Sequence, residues 1–191
     1  MPWLPRTFVC RDVALTSVSP DALPASSETI RREILDYLAT HHVMTIASCD
    51  QNVPWAAAVF YASDEFELYF FSNPKSRHGM NIAANSRVSA AIHEDYSDWR
   101  AIRGIQLEGR AERLRSVKLQ ARFWEVYLKK FPFVKQFFPA RGQAGGMGEL
   151  VKGKLDGVRL YRILPHAVYF IDNSKGFGHR EKLDLSAHLE A

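Results

Sequence analysis

The sequence predicts an α+β fold in which short antiparallel strands close into a barrel flanked by helices. Three observations carry that expectation. Residues 105–112 (Ile-Gln-Leu-Glu-Gly-Arg-Ala-Glu) alternate apolar and polar with period two, as a strand with one buried face does. Short apolar runs are separated by turn-forming triplets, Asp50-Gln51-Asn52 and Ser63-Asp64-Glu65, which suit hairpins. Helical periodicity occurs in scattered segments that do not alternate with the strands one for one, as a parallel sheet would require.

The elements follow in order. Ser26 or Ser27 can cap a first helix, with Glu28 in the turn where the dipole favours an anion. Its apolar stripe is Ile30, Ile34, Leu35 and Leu38, and it should end near His41. Residues 43–47, 55–61 and 66–72 then read as three strands in hairpins, and Asn73-Pro74 breaks the third. A short helix over about residues 76–85 leads to a strand at 87–93, a loop containing Trp99, and the alternating strand at 105–112. Ser116 caps a longer helix with a stripe of Val117, Ala121, Trp124, Leu128 and Phe131, a packing face, and Pro132 stops it. Residues 139–148 are glycine-rich and loop-like, and strands at 158–164 and 167–172 close the domain.

With 191 residues the chain is expected to form one domain, over residues 26–191, preceded by an extended arm over residues 1–25 that carries four prolines. A domain of this size buries a full core without disulfides or a structural metal. Two cysteines, Cys10 and Cys49, give no disulfide framework, which suits a reducing compartment, and no apolar run approaches the roughly 20 residues that span a bilayer. A cytoplasmic location with no membrane partner is the expectation. The net charge of +4 is spread among acids rather than concentrated in a run, so a solvated mixed surface is expected rather than a nucleic-acid patch. Lys129 and Lys130 fall in the last turn of a helix, where the dipole accounts for both. His41, His42, His93 and His179 have no metal-ligand spacing, there is no CxxC, and the glycines of residues 142–148 lack the Lys-Ser/Thr of a phosphate loop. No metal site is expected.

The most informative stretch runs from Phe66 to Met80. A strand ends, a polar turn follows, and Ser76, Arg77 and His78 arrive at the start of a helix. Free N–H groups and the dipole there suit a phosphate, and Arg77 adds a bidentate fork. Spacing alone describes equally well an Asn-Pro turn with a capping serine and a surface arginine. Read on through Asn85-Ser86-Arg87-Val88-Ser89-Ala90-Ala91-Ile92 and Arg103-Gly104-Ile105-Gln106-Leu107-Glu108-Gly109, the segment resembles the flavin-binding half of the pyridoxamine 5′-phosphate oxidase-like family. The likeness runs as one ordered series from about His42 to Leu114. The tail Asp172-Asn173-Ser174-Lys175-Gly176-Phe177-Gly178 resembles a small bacterial branch of the same group.

The resemblance implies a six-stranded antiparallel split β-barrel that forms a homodimer with two FMN molecules at the interface. It implies that Phe71, Ser72, Ser76, Arg77 and His78 line the phosphate and ribityl region, with Gly104, Ile105 and Gln106 near the same cofactor. The strand from Trp55 through Phe60 would run under the isoalloxazine ring. Phe177 and Arg180 would reach the flavin held mainly by the other subunit. The 12% of aromatic residues exceeds what a small barrel interior holds, which also suits an interface. The implied activity is an FMN-dependent oxidoreductase acting on a small molecule; relatives with this barrel use the deazaflavin F420. The rival reading is a flavin carrier or sensor, or a haem-binding protein with His78, His166 or His179 as axial ligand. The chain departs from the family pattern at Trp55 and Phe60, where pyridoxamine phosphate oxidases carry an arginine and a lysine, and at His78, where they carry a lysine. Fewer cations hold an anion less well, so pyridoxamine 5′-phosphate oxidation itself is not expected.

Overall fold

The computed structural model describes residues 27–137 and 157–186. The proline-rich arm and the glycine-rich stretch lie outside them. Eight antiparallel strands form one curled sheet: β1 (Val43–Asp50), β2 (Val53–Phe60), β3 (Ala62–Asp64), β4 (Glu67–Ser72), β5 (Arg87–His93), β6 (Arg103–Arg113), β7 (Arg159–Asp172) and β8 (Arg180–Asp184). Their order is β2-β1-β5-β6-β7-β4-β3, with β8 also on β7. Three helices flank it: α1 (Ser27–Thr40), α2 (Arg77–Ala84) and α3 (Val117–Lys130). No helix among the described residues is long and apolar enough to cross a membrane.

Local chemistry explains the hairpins. β1 and β2 pair from Val43↔Phe60 to Asp50↔Val53, leaving a two-residue loop of Gln51 and Asn52, both at positive φ (48° and 62°). Such a loop twists in the same sense as the strands it joins. The inward positions alternate as period two requires: Met44, Ile46, Leu68, Phe70, Ile92, Ile105, Ile163 and Phe170 are essentially inaccessible to solvent. Ile30, Ile34, Tyr37 and Leu38 of α1 join that core.

Three sequence expectations are corrected. The two strands read at 158–164 and 167–172 are one, β7, because the ladder with β6 shifts register between Glu108 and Gly109, opposite Pro165, and continues. Proline cannot donate to a ladder and is accommodated at such a bulge. Gly109 permits it: a Cβ there would lie 2.4 Å from the Leu164 carbonyl oxygen. The tail forms β8 because β7 offers its edge from Ala167 to Ile171, and with the short β3 this raises the strand count from six to eight. The packing face of α3 centres on Phe123 and Tyr127 and runs on through Phe131 to Val134; of the expected stripe Phe131 is buried and Trp124 and Leu128 pack beside this face, while Val117 is 83% exposed. This second cluster covers Ala62 and Tyr69 on the outside of β3 and β4.

Candidate functional site

The turn from β4 to α2 is fixed by its own polar groups. Asn73 Oδ1 accepts from Lys75 N (2.9 Å), and the Asn73 carbonyl accepts from Ser76 N (2.9 Å). Ser76 then caps α2, its Oγ accepting from Gly79 N at 3.2 Å. Gly79 packs so tightly on the turn that a Cβ would meet Asn73 O at 2.8 Å. The N–H groups of Arg77 and His78 therefore stand at the helix start without an intrahelical acceptor.

Three side chains converge there. His78 Nε2 lies 2.6 Å from Ser72 Oγ and 3.2 Å from Ser76 Oγ, and the two hydroxyls are 3.3 Å apart. His78 is buried, and burial lowers its pKa from the usual histidine value, so the ring is neutral at pH 7. The neighbouring Arg77 has its Cζ 4.6 Å from the centroid of the Trp55 ring. The helix is tied to the sheet beneath by two amides: Asn81 Nδ2 donates to Ser48 Oγ (3.2 Å) and Asn85 Nδ2 to the Cys49 carbonyl (3.1 Å). Ser48 in turn donates to the Trp55 carbonyl at 3.5 Å. Ser48 and Asn81 are buried polar residues absent from the sequence-based list. The available signal is an asparagine beside Ile82 on the face that α2 buries, with a second asparagine four residues on at the C-cap.

The other predicted residues fall elsewhere. Gln106 and Arg180 share a groove of about 410 Å³ on the outer face of the sheet, floored by small side chains such as Ala47, Ser89 and Ala91. Tyr169 in its wall donates to Glu108 (3.2 Å) and lies under Arg180. Phe60 and Phe71 meet the aromatic face of α3, at Phe131 (5.6 Å) and Tyr127 (5.2 Å). Ile105 is a core residue and Gly104 lies against the Ile92 backbone, so neither offers a side chain to a ligand. Phe177 is 85% exposed and stacks edge-on with Trp99. Within the described chain, then, Ser72, Ser76 and His78 form one cluster, Trp55 and Arg77 a pair beside it in sequence, and Gln106 and Arg180 line a separate groove.

One further group was not anticipated. Lys130, at the end of α3, donates to the Leu38 carbonyl (2.8 Å) and lies 4.0 Å from the Tyr61 ring centroid. Its burial pushes the pKa from 10.5 down to about 8.

The family model described as pyridoxamine 5′-phosphate oxidase matches residues 30–162, well over half of the chain. A UPF0306 protein of Klebsiella pneumoniae (strain 342) is 26% identical over 144 residues, covering 74% of this chain and 84% of that protein. A pyridoxine/pyridoxamine 5′-phosphate oxidase of Cupriavidus necator is 27% identical over 123 residues, 63% of this chain and 56% of that enzyme. Among solved structures, a heme binding protein from Mycobacterium smegmatis shares the fold with a TM-score of 0.62 at 21% identity, covering 89% of this chain and 62% of the other.

Proposed function

The chain belongs to the pyridoxamine 5′-phosphate oxidase family, and on that premise we propose that it binds FMN with the phosphate at the start of α2 and serves as an oxidoreductase for a small molecule. The observation that carries this reading is the convergence of Ser72, Ser76 and His78 at a helix start where the N–H groups of Arg77 and His78 have no intrahelical acceptor. A neutral donor set at a helix N-terminus, with the Arg77 guanidinium adjacent and Arg159 opposite Ser72 in the β4–β7 ladder, is chemistry that suits a phosphate monoester. A bound flavin supplies the hydride chemistry, and the protein's part is binding, orientation and exclusion of water.

The same reading takes the active unit to be a homodimer. β2 is an edge strand with Val53, Trp55 and Phe60 at 41–53% exposure, an apolar edge of the kind that is otherwise a pairing hazard. A second copy covers it, and the groove with Gln106 and Arg180 then serves the cofactor held by the other subunit. Light scattering at micromolar concentration tests the assembly, and a flavin-loaded monomer counts against it.

Haem is the alternative ligand on this barrel, and each of the histidines named for iron meets a polar partner through Nε2. His78 is held by two hydroxyls, His179 Nε2 is 3.1 Å from Glu181, and His166 Nε2 is 3.7 Å from Glu108. The absorption spectrum of the purified protein, with mass spectrometry of the released ligand, separates FMN, F420 and haem. Turnover with NADH or NADPH separates an enzyme from a carrier. Arg77→Ala should weaken FMN about ten- to hundredfold while sparing riboflavin, the loss expected for one charge-assisted hydrogen bond.

A further inference from the structure

We infer that Trp55 is the positioning residue of Arg77, so that an aromatic ring, where the family pattern has a cation, makes this site selective for the phosphorylated ligand. The inference rests on the phosphate reading above and deepens it. Arg77 is exposed at the first position of α2, and no carboxylate among the described residues pairs with it; its Cζ lies over the Trp55 ring at 4.6 Å. An exposed arginine samples many rotamers, and a phosphate that recruits it must order it first. Contact with an aromatic face restricts the side chain beforehand. A guanidinium stacked on a ring through its face keeps its N–H fork in plane and free for an anion, so the two interactions do not compete.

The placement of the Trp55 backbone does not depend on the arginine. Trp55 is paired with Ser48 across the β1–β2 ladder, and its carbonyl accepts from Ser48 Oγ. Asn81 of α2, four residues after Arg77, donates to that same Ser48 Oγ. With Ser48 and Asn81 only 3% and 6% exposed, this link holds the strand carrying the ring and the helix carrying the guanidinium in one fixed relation. His78, neutral beside them, adds no charge. Arg77 is thus the cation braced by an aromatic ring, while Arg159 stands opposite Ser72 in the β4–β7 ladder.

The test is flavin-fluorescence titration with FMN and with riboflavin, read as the ratio of the two affinities. Trp55→Ala should reduce that ratio roughly two- to fivefold, the worth of an exposed cation–π contact. Trp55→Phe, which keeps an aromatic face, should retain most of it and also controls for folding. In an Arg77→Ala background, Trp55→Ala should leave the ratio unchanged. A wild-type preference for FMN that survives Trp55→Ala overturns the inference and leaves the phosphate reading standing; so does an equal fall in the Arg77→Ala background. A wild-type protein with no preference for FMN overturns the phosphate reading, and this inference with it.

Discussion

Ser72 Oγ and His78 Nε2 are 2.6 Å apart, joining the last residue of β4 to the first turn of α2 across the turn that separates them. The contact needs a neutral or donating ring on one side and a hydroxyl on the other, and burial decides in favour of the neutral form.

A pH dependence follows. Because the folded-state pKa of His78 lies below its unfolded value near 6.5, the unfolded chain binds more protons between the two. Stability is therefore full above about pH 6.5 and falls as the pH drops through the window below it. His78→Gln, which keeps a polar group but cannot titrate, should lose stability at pH 7.5 yet show a shallower acid loss. Thermal unfolding of the ligand-free protein from pH 7.5 to 5 measures both, and equal slopes for the two proteins would assign the acid sensitivity elsewhere.

Lys130 gives the opposite edge of the pH range. Its folded pKa of about 8 lies below the ordinary 10.5, so stability rises as the pH climbs from about 8 to 10.5 and the buried charge is relieved. Lys130→Met keeps the apolar stem and removes the charge. The Leu38 carbonyl retains its hydrogen bond from Tyr61 Oη at 2.9 Å, so no acceptor is orphaned. The variant should match or exceed the wild type at pH 7 and lack the alkaline rise. A marked loss of stability at pH 7 would show that the Lys130–Leu38 bond outweighs the desolvated charge.

At the bulge, Gly109→Ala places a methyl group 2.4 Å from the Leu164 carbonyl oxygen, and that neighbour is backbone, which has little room to yield. Overpacking of this kind costs about 1–3 kcal/mol, read by denaturant titration. An alanine variant as stable as the parent would mean that the β6–β7 ladder shifts register freely.

Pyridoxamine 5′-phosphate should be oxidised negligibly. That substrate needs a second phosphate anchored over the flavin, and Trp55, Phe60 and neutral His78 stand where the family pattern supplies cations. Without fixed contacts, the binding energy of the substrate phosphate cannot orient the amine carbon, and a misplacement of about 1 Å costs on the order of a hundredfold in rate. Incubating flavin-loaded protein with the substrate and oxygen and following pyridoxal phosphate decides it. Turnover near one per second, at the low end of ordinary enzymes, would refute the expectation.

What was legible in the sequence was local. The β1–β2 hairpin follows from alternation around Gln51-Asn52, and the Ser72 to Gly79 cluster lies in one contiguous stretch whose cap and turn residues are read in order. What was not legible depended on partners distant in the chain. Pro165 looks like a strand breaker until Gly109 is known to sit opposite it. The Arg-Glu-Lys-Leu-Asp of β8 reads as a charged tail, and becomes a strand because β7 presents a free edge. On α3 two overlapping stripes satisfy the helix period, and only the packing against Ala62 and Tyr69 centres the face on Phe123 and Tyr127 with Trp124 and Leu128 at its margin. Ser48 and Asn81, 33 residues apart, could not be paired from either local context.

The strand order has a consequence for how the chain comes together. β2 and β3 are adjacent in sequence yet stand at opposite ends of the sheet, and β4 finds its long partner only in β7, with Leu68 opposite Ile163. On a ribosome adding about 5–20 residues per second, β4 is made on the order of ten seconds before the strand that completes it. During that interval β1, β2, β5 and β6 can zip as each emerges, while Leu68 and Phe70 have no sheet to enter. Assembly of this protein is therefore gated by β7: stalled chains ending before Arg159 should remain protease-sensitive around β4, and release past Asp172 should protect it.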